Sequence, residues 1–342
     1  MKKTPVTLLA LLIAVSTCTA QKPDWLNGKS SKFPNAFYLV GIGAGKTRDA
    51  AENQARANIA KIFKVDISAA TGMVTTETIT TKAKTVSADL NAKTVSDVEV
   101  VVKKTLEGTE IAEFWEDTET GTMHALAVLK RSAAQSILEE QIQQKDEEIT
   151  LLGKSVSEST RKLEKLRLML RRKSLMVARE ELNSDHRIVD PANQGIQAPF
   201  SIEKEKTKIA SFLKNEFQVG VSATGEESAR LIQPALKYLS ARGLTARKAT
   251  PSNQASMDVI MTFESDLDPS TEPVEEWYYC RWQVNMTATD QKDSSAVTTD
   301  SKKGRAGQLS MKESRSKAVA EMTKSVDALA ETVWKTLSGE EQ

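Results

Sequence analysis

Gly41-Ile42-Gly43-Ala44-Gly45-Lys46-Thr47 holds the residue types that cradle a phosphate, and it falls between a strand-like and a helix-like segment. A Walker A loop places its first glycine five positions before the glycine of Gly-Lys-Thr. Here that position is Val40 and the nearest glycine is Gly41, so the spacing is one residue short. The loop lacks the residue needed to wrap a β-phosphate. The motif reads instead as a tight glycine turn feeding a helix that Thr47 caps.

The remaining chemistry-bearing residues are sparse. His124 and His186 are the two histidines, and neither has a second His four residues away or a Cys nearby, so no metal site is assigned. No Ser stands in a Gly-x-Ser-x-Gly elbow, which leaves a hydrolase without support. Cys280 alternates onto the apolar face of a strand and has no base beside it, the pattern of a buried, inert thiol. No catalytic residue, cofactor or metal is assigned, and the chain is read as a non-enzyme.

The strongest charged feature is Arg161, Lys162, Lys165, Arg167, Arg171, Arg172 and Lys173, interrupted by the single acid Glu164. One reading is a solvated helix face. The other is contact with anionic lipid or glycan phosphate through Arg161, Lys162, Lys165, Arg171 and Arg172. Nucleic acid is not expected, because an export signal removes the usual partner.

That signal occupies residues 1–20: Lys2 and Lys3 precede an apolar run from Val6 to Val15, too short for a spanning helix, which needs about 20 residues. Two cleavages compete. Val15-Ser16-Thr17-Cys18 reads as a lipobox with a lipid thioether on Cys18, whereas Cys18-Thr19-Ala20 reads as a small-x-small site cut before Gln21. Either leaves Cys280 as the only Cys in a folded domain, so no intramolecular disulfide is expected. The chain has 47 Lys plus Arg and 46 Asp plus Glu; the signal takes two Lys and no acid, leaving 45 against 46 and no global electrostatic preference.

The elements that must position these residues follow from periodicity. Phe37 to Ile42 reads as a strand, Gly43 to Lys46 as a loop, and a helix from about Thr47 carries Ala51, Ala55, Ile59, Ile62 and Phe63 on one face. A strand is expected over Val65 to Ala69, while residues 71–94, with eight Thr, and Val95 to Leu106 stay open. Thr109 to Glu116 and Thr122 to Leu129 form a hairpin about Gly121. From Ser132 to Leu182 the chain reads as helix, with Ile142, Ile149, Val156, Leu163, Leu170 and Val177 at intervals of seven. Unbroken, it would be about 75 Å long; only half the companion positions are apolar, so a weak or intermittent seam is expected. Pro191, Gly195 and Pro199 mark a linker.

The second domain reads as a short helix at Ile209 to Leu213, a strand at Phe217 to Val221, and a helix at Leu231 to Leu239 ended near Gly243. Strands follow at Leu244 to Lys248, Met257 to Glu264 and Trp277 to Thr289, and a helix at Ser310 to Leu337 closes the chain. In the strand at Trp277, residues Trp277, Tyr279 and Arg281 share the face opposite Cys280. They are either a partner-contact patch or lie under the closing helix.

The order of features resembles a known family. Trp25 and Gly28 lead to Tyr38-Leu39-Val40-Gly41-Ile42-Gly43, then Asp49-Ala50-Ala51 and a helix ending Ile59-Ala60; Ile111-Ala112-Glu113-Phe114-Trp115 then runs to Ala125-Leu126-Ala127-Val128-Leu129. Together these resemble the bacterial LPP-twenty lipoprotein family, whose domain is similar to the N-terminal domain of a flagellar T-ring assembly protein. The resemblance spans about residues 25–145 and implies an α/β envelope domain, usually lipidated, with no catalytic residues to carry over.

The expectation is therefore an α+β protein of two small sandwich-like α/β domains joined by a long, partly coiled-coil-like helix. Its divisions are a signal peptide at 1–20, an N-terminal domain at 21–130, a helical spacer at 131–183, a linker at 184–203 and a C-terminal domain at 204–342. The expected role is a non-catalytic lipoprotein of the outer membrane or periplasm that contacts other envelope proteins, with homo-oligomerisation through the long helix. The rival is an exported ligand binder or enzyme using an interdomain cleft.

Overall fold

The computed structural model describes residues 22–76 and 108–338, with side chains in the first helix as far as Phe63. The lipidation expected at Cys18 and the open stretch up to Leu106 lie largely outside those residues. The described part is mixed α and β, with six helices and two sheets, as an α+β reading requires. It divides into two compact units.

The first unit begins with a 3₁₀ turn at Asp24–Asn27, followed by β1 (Tyr38–Gly45), α1 (Arg48–Thr76) as far as Lys61, β2 (Glu110–Asp117) and β3 (Thr122–Lys130). Its antiparallel sheet has the order β1-β3-β2. The β2–β3 turn forms where expected: Asp117 accepts from the amides of Glu119 and Thr120, and Gly121 takes φ 65°. Two expectations are overturned. The strand extends through Gly45, so Gly43 and Gly45 are in the ladder and not in a loop, and α1 runs on through the region expected as a Val65–Ala69 strand.

The reason lies in the glycines. Gly41, Gly43 and Gly45 share one face of β1, and α1 lies directly on them. A β-carbon on Gly43 would come within 2.1 Å of the Ala51 carbonyl oxygen, and one on Gly41 within 2.4 Å of that of Ala55. Ala51, Ala55, Ile59 and Phe63 are fully buried beneath, while Ile62 is exposed. The Asn58 amide donates to the Ile42 carbonyl at 2.7 Å, and Thr47 caps the helix through its hydroxyl to the Ala50 amide. The other sheet face packs Trp25 against Leu126 and Val128.

The second unit opens with α2 (Arg131–Glu158) and α3 (Lys162–Val189), then α4 (Ile202–Asn215), β4 (Gln218–Gly225), α5 (Ala229–Ala241), β5 (Thr245–Lys248), β6 (Val259–Pro269), β7 (Tyr278–Asp290), β8 (Ala296–Gln308) and α6 (Met311–Ser338). The expected single long helix is in fact two, each about 42 Å long at about 1.5 Å per residue. The break falls at residues 159–161, where Ser157 and Ser159 turn their hydroxyls onto the carbonyls of Lys154 and Arg161 and compete with helical bonding. The two helices run antiparallel: His186 meets Glu139, Arg179 meets Asp146, and Arg172 meets Ile149. Ile142, Ile149, Leu163 and Leu170 of the seven-residue repeat are buried. The linker also starts later than expected, because α3 continues to Val189. It is pinned to the hairpin, with Asp190 accepting from the amides of Ala192 and Gln194 and Asn183 from that of Ile196.

The second sheet has the order β5-β4-β6-β7-β8; β4 is parallel to β5 and β6, and β6, β7 and β8 form an antiparallel meander. Helix α5 packs on β4 and β5, α6 packs on β6, β7 and β8, and the two helices touch, so one face is covered. Val219, Val221, Met261, Phe263, Cys280, Val284, Met286, Val326, Leu329 and Val333 fill that layer. The strand at Ala296–Gln308 was not anticipated. Its composition, Thr, Ser, Asp, Lys and two Gly, carries no strand signal.

Candidate functional site

Each residue group singled out in the sequence now has a place. Cys280 is fully buried in the apolar layer, and loss of hydration pushes its thiol up from 9.0, away from a nucleophile's range. His124 lies against the Trp115 ring, with centroids 5.4 Å apart. Among the described residues no group of three or more His, Cys, Asp or Glu is arranged to hold a metal ion, and no helix is long and apolar enough to cross a membrane.

Most of the basic run is engaged within the second unit. Arg161 binds Asp290 at 2.8 Å and Asp293 at 2.6 Å, tying the α2–α3 turn to the β7–β8 loop. Lys162 reaches Asp258 and the Glu216 carbonyl, Lys165 stands over the Phe212 ring, and Arg167 donates to the Thr336 carbonyl. Arg172 pairs with buried Glu205 and crosses α2 at Gly153, where a β-carbon would stand 3.3 Å from its Nε. Arg171 is exposed.

The hairpin carries a polar core that sequence reasoning missed. Arg179 is wholly buried, with Nε 3.1 Å from Asp146 and Nη1 3.0 Å from the Ile196 carbonyl. His186 is buried with Nε2 3.3 Å from Glu139. Beside them an open groove of about 690 Å³ runs along α2, lined by Glu139, Ile142, Asp146, Glu147, Leu151 and Ile196. The signal was available: Arg179 and His186 recur at seven-residue spacing on the inner side of α3, where a solvated helix would place apolar residues.

The other candidate is one end of the second sheet. Trp277, Tyr279 and Arg281 lie on the face opposite α6, because their neighbours Cys280 and Trp282 take the buried one. Val274 and Trp277 close a tight turn with backbone bonds of 2.8 and 3.0 Å, and its two central residues, Glu275 and Glu276, both take positive φ, 48° and 68°. Positive φ at consecutive non-glycine residues is strained, a cost that surrounding structure must offset.

Val274 is 57% exposed and Trp277 43%. The β7–β8 ladder ends with Tyr278 opposite Gln308, so Trp277 and Leu309, also exposed, leave it at the same end, and Met311 follows at the start of α6. The Tyr279 ring covers Gly307, the Arg305 guanidinium stacks 3.6 Å from the ring centroid, and Arg281 stands 3.6 Å from Asp268. Val274, Arg305 and Leu309 were not anticipated, since the hairpin tip and β8 were not recognised as structure. An apolar tip backed by stacked aromatic and Arg side chains is suited to protein contact.

Comparison with known proteins gives the following. No curated protein matches the chain. Among solved structures, the secreted protein HP1454 from Helicobacter pylori is similar at 15% identity over 86% of this chain and 97% of that one, with a TM-score of 0.41. Rare lipoprotein B from Shewanella oneidensis is similar at 12% identity over 36% of this chain and 94% of its own, with a TM-score of 0.24. A minor lipoprotein from Acinetobacter baumannii is similar at 10% identity over 36% and 90%, also with a TM-score of 0.24. A family model matches residues 23–130, the span that holds the first sheet: LPP20 lipoprotein, the LPP-twenty family that the Trp25-to-Leu129 pattern resembles.

Proposed function

We propose that the protein is a non-catalytic lipoprotein of the cell envelope, anchored through Cys18 at the outer membrane or facing the periplasm, that works as a structural or assembly component by binding another envelope protein. The observation that carries the reading is the apolar tip of Val274, Trp277 and Leu309 beside the Tyr279–Arg305 stack. Exposed large apolar side chains gathered at one place mark an interaction surface more often than scattered ones do. The LPP20 match supports the envelope assignment. The non-catalytic part is supported by the structural work of the residues that looked chemical: the glycines seat α1, Cys280 fills the core and the cations tie elements together.

The test has two arms. Radiolabelled palmitate is expected to enter the wild-type chain and not Cys18→Ser; equal labelling of both removes the anchor. A photo-crosslinking amino acid at Trp277 is expected to trap one discrete envelope protein, with the product lost in Val274→Asp. A site that traps only lipid, or nothing, removes the contact surface.

A further inference from the structure

The far side of β8 ends the second sheet: among the described residues no strand pairs beyond it. An edge of 13 residues leaves a long row of backbone donors and acceptors able to take another strand. Its side chains decide which strand. A second copy related by a two-fold axis can continue the antiparallel ladder with its faces matched only in registers that set one residue opposite itself.

Most such registers of β8 fail on charge. Centring on Asp300, Lys302, Lys303 or Arg305 opposes a charge to its own copy, and centring on Gly304 opposes Lys303 to Arg305. Centring on Ser301 sets Asp300 opposite Lys302 of the second copy, twice by symmetry, and Lys303 opposite Thr299, while Gly304 opposite Thr298 is the last pair before the irregularity at Val297. That register pairs the regular stretch 298–304 with itself. Asp300 is fixed in place within its own chain: Oδ2 accepts from the Thr332 hydroxyl at 2.8 Å, and the Lys302 ammonium stands 3.7 Å away.

We propose that two copies of this chain pair through β8, antiparallel and centred on Ser301, so that the two sheets become one. The complementary charges at 300 and 302 fix the register. The surface is separate from the apolar tip, so either can fail without the other.

The test uses the exported full chain carrying Cys18→Ser, in which buried Cys280 is the other cysteine. Self-opposed residues of an antiparallel ladder have Cα atoms about 4.5–5.5 Å apart, within disulfide range. Ser301→Cys is therefore expected to give an oxidised dimer, and Thr299→Cys is not. A mixture of Thr299→Cys and Lys303→Cys chains should crosslink only across the two kinds. Both positions 299 and 301 are exposed, so these variants keep the fold and a negative result is decisive. By sedimentation, Lys302→Asp is expected to weaken the dimer at least tenfold, and Asp300→Lys with Lys302→Asp to restore it. A wild-type chain that stays monomeric at about 100 µM, a dimer that Ser301→Cys does not trap, or equal crosslinking from position 299 overturns the proposal.

Discussion

The Ala51 carbonyl oxygen stands 2.1 Å from the point a β-carbon on Gly43 would occupy, and the Ala55 amide nitrogen stands 2.3 Å from it. Both are backbone atoms within a helix, so no rotamer change relieves the clash and α1 must lift off β1. Gly43→Ala is expected to destabilise the first unit by about 3 kcal/mol or more, at or above the upper end of ordinary overpacking. Gly121 is the control: it has φ 65° and open space around it, so Gly121→Ala should cost only about 1 kcal/mol of backbone strain. Urea titrations of the two variants should separate them clearly; equal midpoints would mean that the helix does not seat on the glycine face.

Arg179 and Asp146 are not equivalent partners. The Arg179 side chain is 0% exposed and that of Asp146 is 23% exposed. Removing the carboxylate leaves a buried guanidinium with the 44% exposed Glu180 carboxylate, 3.8 Å away, as its charge partner, whereas removing the guanidinium leaves a carboxylate that water reaches. Asp146→Ala is therefore expected to cost about 3–5 kcal/mol and Arg179→Met less. Chemical denaturation checks the order, and a larger loss from Arg179→Met would show that its bonds to the carbonyls of Ile196 and Gln197 dominate.

Acid should loosen the loops before the sheets. The carboxyls of Asp190 and Asp117 are held below their ordinary 3.8: that of Asp190 by the amides of Gln194 and Ala192, that of Asp117 by the Thr120 hydroxyl and the Glu119 amide. Asp293 is likewise lowered, first by the Ser295 hydroxyl. For a carboxyl with a depressed folded-state pKa, the stabilisation is complete above the unfolded value and fades as pH falls through the folded one. Stability should hold down to about pH 5 and decline below pH 4, with amide exchange rising first at 190–195 and 117–121. Stability that rises on acidification would contradict these bonds.

Hydrophobic alternation made β4 to β7 and α6 legible, because each buries one face and the pattern survives in one dimension. The same signal misled where a partner was distant in sequence. Gly41, Gly43 and Gly45 look like a loop until α1 lies across them, since glycine serves a turn and a close helix contact alike. The seven-residue repeat from Ile142 to Val177 reads as one rod, yet the same period serves a hairpin folded at Ser159, and Gly153 makes sense only once Arg172 crosses it. Of the candidate contact residues, Trp277, Tyr279 and Arg281 were visible as one face of a strand. Arg305 was not, because it belongs to a strand whose fit depends on the glycines of its own sequence.

That dependence is testable at Gly304. A β-carbon there would lie 2.6 Å from Cε2, Cζ2 and Nε1 of Trp282, whose indole is buried and donates to Glu321 at 3.2 Å. Gly304→Ala must push the ring away from β8, break the bond to Glu321 and cost about 1–3 kcal/mol. Because the chain has other tryptophans, the shift is best read as the loss of one indole N–H resonance from its bonded position. In a Trp282→Leu background the clash is gone, so the same substitution should be nearly neutral there. A double-mutant cycle with a coupling above about 1 kcal/mol is the expected outcome. Additive losses would mean that β8 tolerates a side chain at 304 and is held against β7 by its backbone alone.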